Sequence, residues 1–247
     1  MKAMILAAGL GTRLKPWTLS HPKALVPVQG TPMLERVILR LKEQGFNYIV
    51  VNVHHFASQI VEFLASKDFG VQVCISDESG KLLDTGGGIL HAADLLMIDD
   101  RPFLVHNVDI LSTANLKGLM SCHNSSTDLA TLLVSERESS RRLVFDSNNS
   151  LKGWLNLSTS KSIPEHLQII GGDKMLAFSG IYVLSTDAFG LMRDQYSDEP
   201  FPIMDFFLNN MAGGEIRGYE AKDLKLIDIG KPETLSRANN ELIFNNQ

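Results

Sequence analysis

The sequence predicts an α/β fold: a doubly wound, mostly parallel sheet, with a smaller α+β C-terminal part packed on it. Three observations carry this. Short apolar runs alternate with longer segments of helical period up to about residue 135, the β–α–β rhythm of a parallel sheet. Those runs are apolar throughout, as strands covered by helices on both faces must be. Beyond that point the rhythm gives way to turn-rich, hairpin-like stretches. No internal repeat or low-complexity linker interrupts the chain. A single domain over 1–247 is expected, with halves of about 1–135 and 136–247.

Residues 2–7 read as a buried strand that runs into glycines. Residues 32–44 place Met33, Val37, Ile38 and Leu41 on one helical face, with Pro32 near the start and Gly45 just past the end. A strand over 48–53, a helix at about 56–66 and a strand over 71–76 follow. Residues 86–97 form a helix entered through glycines, 103–106 a strand, 116–123 a helix and 129–134 a strand. In the second half, 141–145 and 151–155 flank Asp146-Ser147-Asn148-Asn149-Ser150, which predicts a hairpin. The polar stretch 158–173, with Pro164 and Gly171-Gly172, reads as an exposed loop. Strands at 175–184, 215–220 and 224–229 and helices at 202–211 and 232–244 complete the chain.

Apolar residues make up 44% and charged residues 21%, the balance of a soluble globular protein. A net charge of −5 argues against wholesale nucleic-acid binding. Any anion site must therefore be a local cluster of bases on an acidic body. Cys74 and Cys122 lie in or beside apolar stretches, without metal-site spacing. They read as buried free thiols in a reducing compartment. The N-terminal apolar run is too short for a signal peptide's core, and no run approaches a membrane span. The cytoplasm is the expected location, with neither membrane nor nucleic acid as partner.

The chemistry is concentrated in the first thirty residues. The strand ends in Leu6-Ala7-Ala8-Gly9-Leu10-Gly11-Thr12-Arg13. Glycines let backbone N–H groups wrap an anion, and Arg13 adds a permanent forked charge suited to phosphate oxygens. A plain glycine-rich turn is the competing reading. A dinucleotide loop fails because Leu14 holds the third glycine position, and a Walker loop fails because no Gly-Lys-Ser/Thr follows. Lys23, fixed behind Pro22 and ahead of an apolar stretch, is placed to put a point charge on a phosphate, although a solvated surface lysine is the commoner fate.

Asp109 follows directly on a strand, in His106-Asn107-Val108-Asp109. Ligands in open α/β sheets bind outside the carboxyl ends of strands, where a carboxylate is well placed to hold Mg²⁺; capping the next turn is its alternative task. Asp228, between Ile227 and Ile229, is a second metal ligand if its strand ends at the cleft, and a solvated side chain otherwise. Asp84-Thr85-Gly86-Gly87-Gly88 opens a helix and leaves room for a flat ligand, or merely caps the helix. His54 and His55 resemble a metal pair, but adjacent side chains on an extended chain diverge, so they read as loop residues.

Together these stretches resemble the sugar-1-phosphate nucleotidyltransferases. The matching segments are Leu6 to Thr18, Pro22-Lys23-Ala24-Leu25-Val26-Pro27-Val28, Thr85-Gly86-Gly87-Gly88, Asn107-Val108-Asp109, Phe178-Ser179-Gly180-Ile181-Tyr182 and Ile227-Asp228-Ile229-Gly230. The short length and the Thr85-Gly86-Gly87-Gly88 segment look most like the N-acetylmuramate-1-phosphate uridylyltransferases of cell-wall recycling. Mannose-1-phosphate guanylyltransferases and glucose-1-phosphate thymidylyltransferases are close relatives.

The resemblance implies a Rossmann-like sheet of the nucleotide-diphospho-sugar transferase type, with a nucleotide-binding first half and a sugar-phosphate-binding second half. It implies that Leu6, Ala7, Ala8, Gly9, Leu10, Gly11, Thr12, Arg13 and Lys23 bind an NTP, best UTP, and that Thr85, Gly86 and Gly87 line the base pocket. It makes Arg13, Lys23 and Asp109 catalytic, with Asp109 and Asp228 holding Mg²⁺. Asn107, Gly153, Ser179 and Gly180 would face the sugar 1-phosphate, best N-acetylmuramate 1-phosphate. Two positions depart from the pattern. Val108 stands where glycine is common and bears on substrate identity, and Trp17 replaces a usual leucine. A non-catalytic sugar-nucleotide-binding regulatory protein is the alternative from another class, and the intact set Arg13, Lys23, Asp109 and Asp228 favours the enzyme. A nicotinamide-dependent oxidoreductase suffers from the missing third glycine.

Overall fold

The computed structural model describes residues 1–197 and 199–240; residues 241–244 of the expected closing helix lie outside the described residues. The first half comprises β1 (Lys2–Leu6), β2 (Pro27–Val28), β3 (Thr31–Pro32), α1 (Met33–Glu43), β4 (Tyr48–Val53), α2 (Ala57–Ala65), β5 (Gln72–Asp77), α3 (Asp84–His91), α4 (Ala93–Leu96), β6 (Phe103–Asn107), β7 (Ile110–Ser112), α5 (Leu116–Asn124) and β8 (Ala130–Ser135). The second comprises β9 (Arg141–Phe145), β10 (Leu151–Asn156), β11 (Lys161–Ile163), β12 (Lys174–Leu184), α6 (Ala188–Tyr196), α7 (Ile203–Asn209), β13 (Ile216–Glu220), β14 (Leu226–Asp228) and α8 (Pro232–Asn240).

The expected α/β architecture is present. Strands β5, β4, β1 and β6 lie side by side and parallel. In this register Leu6 stands between Asn52 and Asn107, so three strands deliver their carboxyl ends to one sheet edge. Alternate residues then supply the two faces. Ala3, Ile5, Ile49, Val51 and Leu104 pack with Leu34 and Ile38 of α1, Ile60 of α2 and Leu119 of α5. Met4, Val50, Phe103 and Val105 pack on the other side with Ile89 of α3, Phe189 of α6 and Phe207 of α7. Helix α1 shows why the chain folds this way: Met33, Leu34, Val37, Ile38 and Leu41 are buried on one stripe, and Gly45, at φ 84°, ends the helix.

The second half joins the same sheet through β12. Its last residues, Ile181 to Leu184, run antiparallel to β6. Its other edge pairs antiparallel with β8, which carries β13 parallel to it. Its first residues instead pair with β9, and β10 and β11 continue that antiparallel ribbon. The changeover falls at a register shift between Phe178 and Tyr182, around Ser179-Gly180, with Gly180 at φ 71°. That left-handed conformation favours glycine.

Several local expectations need correction. Residues 161–163 form β11 inside the stretch read as a loop; three partly polar residues carry too little alternation to show as a strand. Helix α6 and strand β7 were not expected, since α6 shows its core only Ala188, Phe189 and Met192, and β7 is three residues long. The helix expected over 86–97 begins at Asp84 and breaks at Ala92 into α3 and α4. Cys122 is exposed on α5 and Cys74 is half-buried, so neither is a fully buried thiol. No helix among the described residues is long and apolar enough to cross a membrane.

His106 ties the core to solution pH. It lies buried in β6 with Nδ1 2.8 Å from its neighbour Asn107's carbonyl oxygen. Burial pushes its pKa down to about 4, against about 6.5 in an unfolded chain. The unfolded chain therefore takes up a proton that the native state refuses. The stability is fully present above pH 6.5 and is lost as pH falls towards 4, at about 1.4 kcal/mol per pH unit for this one proton. Denaturant titrations in steps from pH 7.5 to 4.5 should show a slope in that window that is shallower by one proton in His106→Gln.

Candidate active site

The loop after β1 is held by hydrogen bonds from beneath. The buried N–H of Ala7 donates to Asn52 Oδ1 at 2.7 Å, and Asn52 Nδ2 donates to Glu78 Oε1 at 2.7 Å. Glu78 is buried, and that burial pushes its pKa up against the lowering effect of Asn52. Gly11 then turns the chain at φ 61°. A Cβ there would lie 2.8 Å from Lys23 Cβ and 2.9 Å from Thr18 Cγ2. Glycine at this position is what lets the loop close on Lys23, and Thr18 Oγ1 clamps it by donating to the Gly11 carbonyl at 2.9 Å. Leu14 is buried beneath, while Leu10, Thr12 and Arg13 are exposed.

Four charges from distant parts of the chain converge beside this loop. Lys23 forms a short ion pair with Asp109 Oδ2; both side chains are 13% exposed, so Lys23 is not a solvated surface lysine. Asp109 follows β6, and the chain returns as β7, which pairs antiparallel with β14 so that Ile110 faces Asp228. The Ile229 N–H donates to the Asp109 carbonyl at 2.9 Å and fixes the two aspartates side by side. Gly230 lies between Arg13 and Asp228: a Cβ there would meet Arg13 Nη2 at 2.5 Å and Asp228 Oδ1 at 2.7 Å. Asp228 opens to the cleft, yet the protein crowded around it, and then the Asp109 charge, push its carboxyl pKa up. The Gly230 N–H, Lys23 and Arg13 pull the other way.

Two carboxylates that repel one another fit a hard divalent cation taking its other ligands from phosphate or water. Among the described residues no group of three or more His, Cys, Asp or Glu side chains is arranged to hold a metal. Asp109 and Asp228 are thus the candidate protein ligands. His54 and His55 are not a metal pair: His54 Nδ1 is 2.6 Å from the Glu78 carbonyl oxygen and His55 packs on Phe56.

Two cavities meet at this cluster. One, about 310 Å³, is walled by Leu6, Ala7, Ala8, Gly9, Lys23, Val108 and Asp109. The other, about 590 Å³, lies between the β9–β10 ribbon and α7. Thr85 and Asn107 line both. Leu10, Gly11, Thr12 and Arg13, expected to bind the nucleotide, are not part of that wall. Val108 has its side chain buried in the apolar cluster, and its N–H donates to the Leu6 carbonyl. Gly180 packs against Asn107, where a Cβ would lie 2.8 Å from Nδ2. Ser179 is buried, and its hydroxyl finds no partner among the described residues.

Gly86, Gly87 and Gly153 are packed, not open. The N–H groups of Gly86 and Gly87 donate to the Phe201 carbonyl at 2.8 and 3.2 Å, and a Cβ on Gly86 would overlap the Phe201 ring. Gly87 lines a separate cavity beside Glu78 and His91. Thr85 Oγ1 accepts the Ile203 N–H at 2.9 Å, so this segment docks α3 onto the start of α7. Gly153 lies under β11, and its neighbour Trp154 lines the larger cavity. Sequence reasoning missed Asn52, whose signal was one amide inside an apolar strand. It also missed Arg137 and Arg142 at the larger cavity, for which no motif spacing gives a signal.

The chain belongs to the nucleotidyl transferase family, which it matches over residues 2–244. It is similar to the N-acetylmuramate alpha-1-phosphate uridylyltransferase of Caulobacter vibrioides, at 42% identity over 43% of this chain and 45% of that protein. The protein of the same name from Neisseria meningitidis serogroup B is 34% identical over 76% of this chain and 77% of its own length. The chain thus spans under half of the first relative. Among solved structures, HddC from Yersinia pseudotuberculosis superposes with a TM-score of 0.77 at 25% identity, covering 97% of this chain and 98% of that one.

Gly86→Ala tests whether these glycines serve packing. The added methyl must displace the Phe201 ring, itself stacked on Tyr196 at 3.8 Å. The expected loss is about 1–3 kcal/mol of unfolding free energy, the usual cost of overpacking. Gly9→Ala, where a Cβ meets nothing within 4 Å, should leave stability within about 0.5 kcal/mol. Denaturant midpoints of the two variants check this.

Proposed function

We propose that the chain is a sugar-1-phosphate nucleotidyltransferase that joins UTP to N-acetylmuramate 1-phosphate, giving the UDP-sugar and pyrophosphate. One observation carries the reading: Arg13, Lys23, Asp109 and Asp228 converge where the two cavities meet. The base and sugar are taken from the Caulobacter and Neisseria relatives, both named for that reaction. On this reading residues 1–135 serve mainly the nucleotide and 136–247 mainly the sugar phosphate.

The sugar-phosphate oxygen is already anionic at neutral pH and needs no general base. It attacks the α-phosphorus in line as the bond to the leaving pyrophosphate breaks. The difficulty is bringing two anions together. The N–H groups of the Ala8–Gly11 turn, Arg13 and Lys23 supply positive potential where that charge gathers. Lys23 leaves Asp109 for phosphate oxygens when the nucleotide enters. Asp109 and Asp228 would hold Mg²⁺, which when bound neutralises phosphate charge. Asn107, at the seam and backed by Gly180, orients the incoming sugar phosphate.

Pyrophosphate release from UTP, GTP, CTP, ATP and dTTP, each against a panel of sugar 1-phosphates with and without Mg²⁺, tests the reading directly. UTP with N-acetylmuramate 1-phosphate and Mg²⁺ should give the highest kcat/KM. Arg13→Ala and Lys23→Ala should each lower turnover about 10²–10³-fold, the range for a lost electrostatic donor. Near-normal turnover in both variants would overturn the assignment.

A further inference from the structure

The larger cavity carries a charge arrangement that transfer at the 1-phosphate does not use. Arg137, Arg141 and Arg142 line it, and among the described residues none of them forms an ion pair. Arg137 is half-buried; Nη2 donates to the Phe178 carbonyl at 2.7 Å, and Nε has no partner. Arg142 projects from β9, opposite Leu155 of β10, and its charge works against that of Arg137. Burial and Arg142 oppose the Arg137 charge while Asp228 favours it; among the described residues Arg141 and Arg142 have no acid paired with them, and like charges gathered on one wall favour an anion that joins them.

The rest of the wall suits a sugar ring. Trp154 and Phe178 offer aromatic surface, and behind them Tyr182, 1% exposed, has a hydroxyl that finds no partner among the described residues. A buried hydroxyl left without a partner points to a polar ligand group. The carboxylates on this wall are Asp205, exposed on α7, and Asp228, which belongs to the reaction centre. Asp228 also places the 1-phosphate end of a bound sugar, leaving the arginines to meet a substituent elsewhere on the ring.

We infer that Arg142, with Arg137, selects sugar 1-phosphates that carry a second anionic group, a carboxylate or a second phosphate. The inference rests on the proposed sugar-phosphate reading of the site and deepens it, since it assigns named residues to a second anionic group that transfer at the 1-phosphate does not need. A guanidinium is suited to either group through paired N–H donors, and a charge-assisted contact of this kind is worth roughly 10- to 100-fold in affinity.

Calorimetry on the intact protein tests it, using three probes: N-acetylmuramate 1-phosphate and glucose 1,6-bisphosphate, each with two anionic groups, and N-acetylglucosamine 1-phosphate, whose one anionic group is the 1-phosphate. At least one doubly anionic probe should bind about 10- to 100-fold more tightly than N-acetylglucosamine 1-phosphate. Arg142→Gln should collapse that ratio towards one, and Arg142→Lys should restore part of it. Whichever doubly anionic probe is favoured identifies the second group. Equal binding of all three, or an equal loss for all three in Arg142→Gln, would overturn the inference. Binding without turnover on any probe would instead count against the proposed reaction and leave the binding ratio to decide this one. An unchanged melting temperature in Arg142→Gln separates lost selectivity from lost folding.

Discussion

The pairing of β7 with β14 forces two carboxylates from opposite ends of the chain into one cleft, and the rest of the site is arranged around that pair. The main chain at Asp109 and Asp228 is fixed by backbone bonds, through the Ile110–Asp228 register and the Ile229 N–H to the Asp109 carbonyl, which keeps the two carboxylates in one neighbourhood. The fold answers with cations at two places. Lys23 is held against Asp109, and Arg13 lies over Gly230 beside Asp228. Both are brought there by glycines, since a methyl at 11 would meet Lys23 and a methyl at 230 would meet Arg13. Much of the glycine content at this site is therefore explained by charges that must approach a backbone closely.

The second constraint is the long strand β12. It exchanges β9 for β6 as neighbour around Ser179-Gly180, where its register with β8 also shifts, and its pairing with β6 stops at His106, one residue short of Asn107. Asn107 shares its row with Leu6 and, through Leu6, with Asn52. One row of residues at the sheet edge thus carries the loop support, the seam between the cavities and the approach to Asp109.

How much of this was legible in the sequence depends on whether the signal was local. The order of the longer strands and helices to about residue 134 follows from apolar period, because β1, β4, β6 and β8 are buried almost throughout, whereas the three-residue β7 carries no such signal. The loop 6–13 and Lys23 were legible because glycine, arginine and proline constrain the backbone where they stand. Asp228 was ambiguous: an acid between two isoleucines reads equally as solvated or as a ligand, and only pairing with a distant strand of three residues decides its neighbour. The Gly86-Gly87 segment showed the limit of a motif. Its composition says that something approaches closely, and the structure shows Phe201 and its carbonyl making that approach. Arg137 and Arg142 gave no signal, since their meaning lies in an ion pair that is missing, and sequence does not show missing partners.

The separation of the cations into two groups follows from the same electrostatics. The protein is acidic overall, with a net charge of −5, so positive potential exists only where bases are gathered. Arg13 and Lys23 are each matched by an aspartate close by, which holds them ready while the cleft is empty and keeps their placement stable. Arg137 and Arg142 form no ion pair among the described residues; Asp228 favours the Arg137 charge and Arg142 opposes it. A site for a reacting phosphate needs cations that are prepositioned and can change partners during the reaction, which favours the first arrangement. A site that only recognises an anion gains selectivity from the second, because a ligand without that anion leaves the repulsion in place. Asn107 lines both cavities, so one cleft can pair both arrangements with a single substrate.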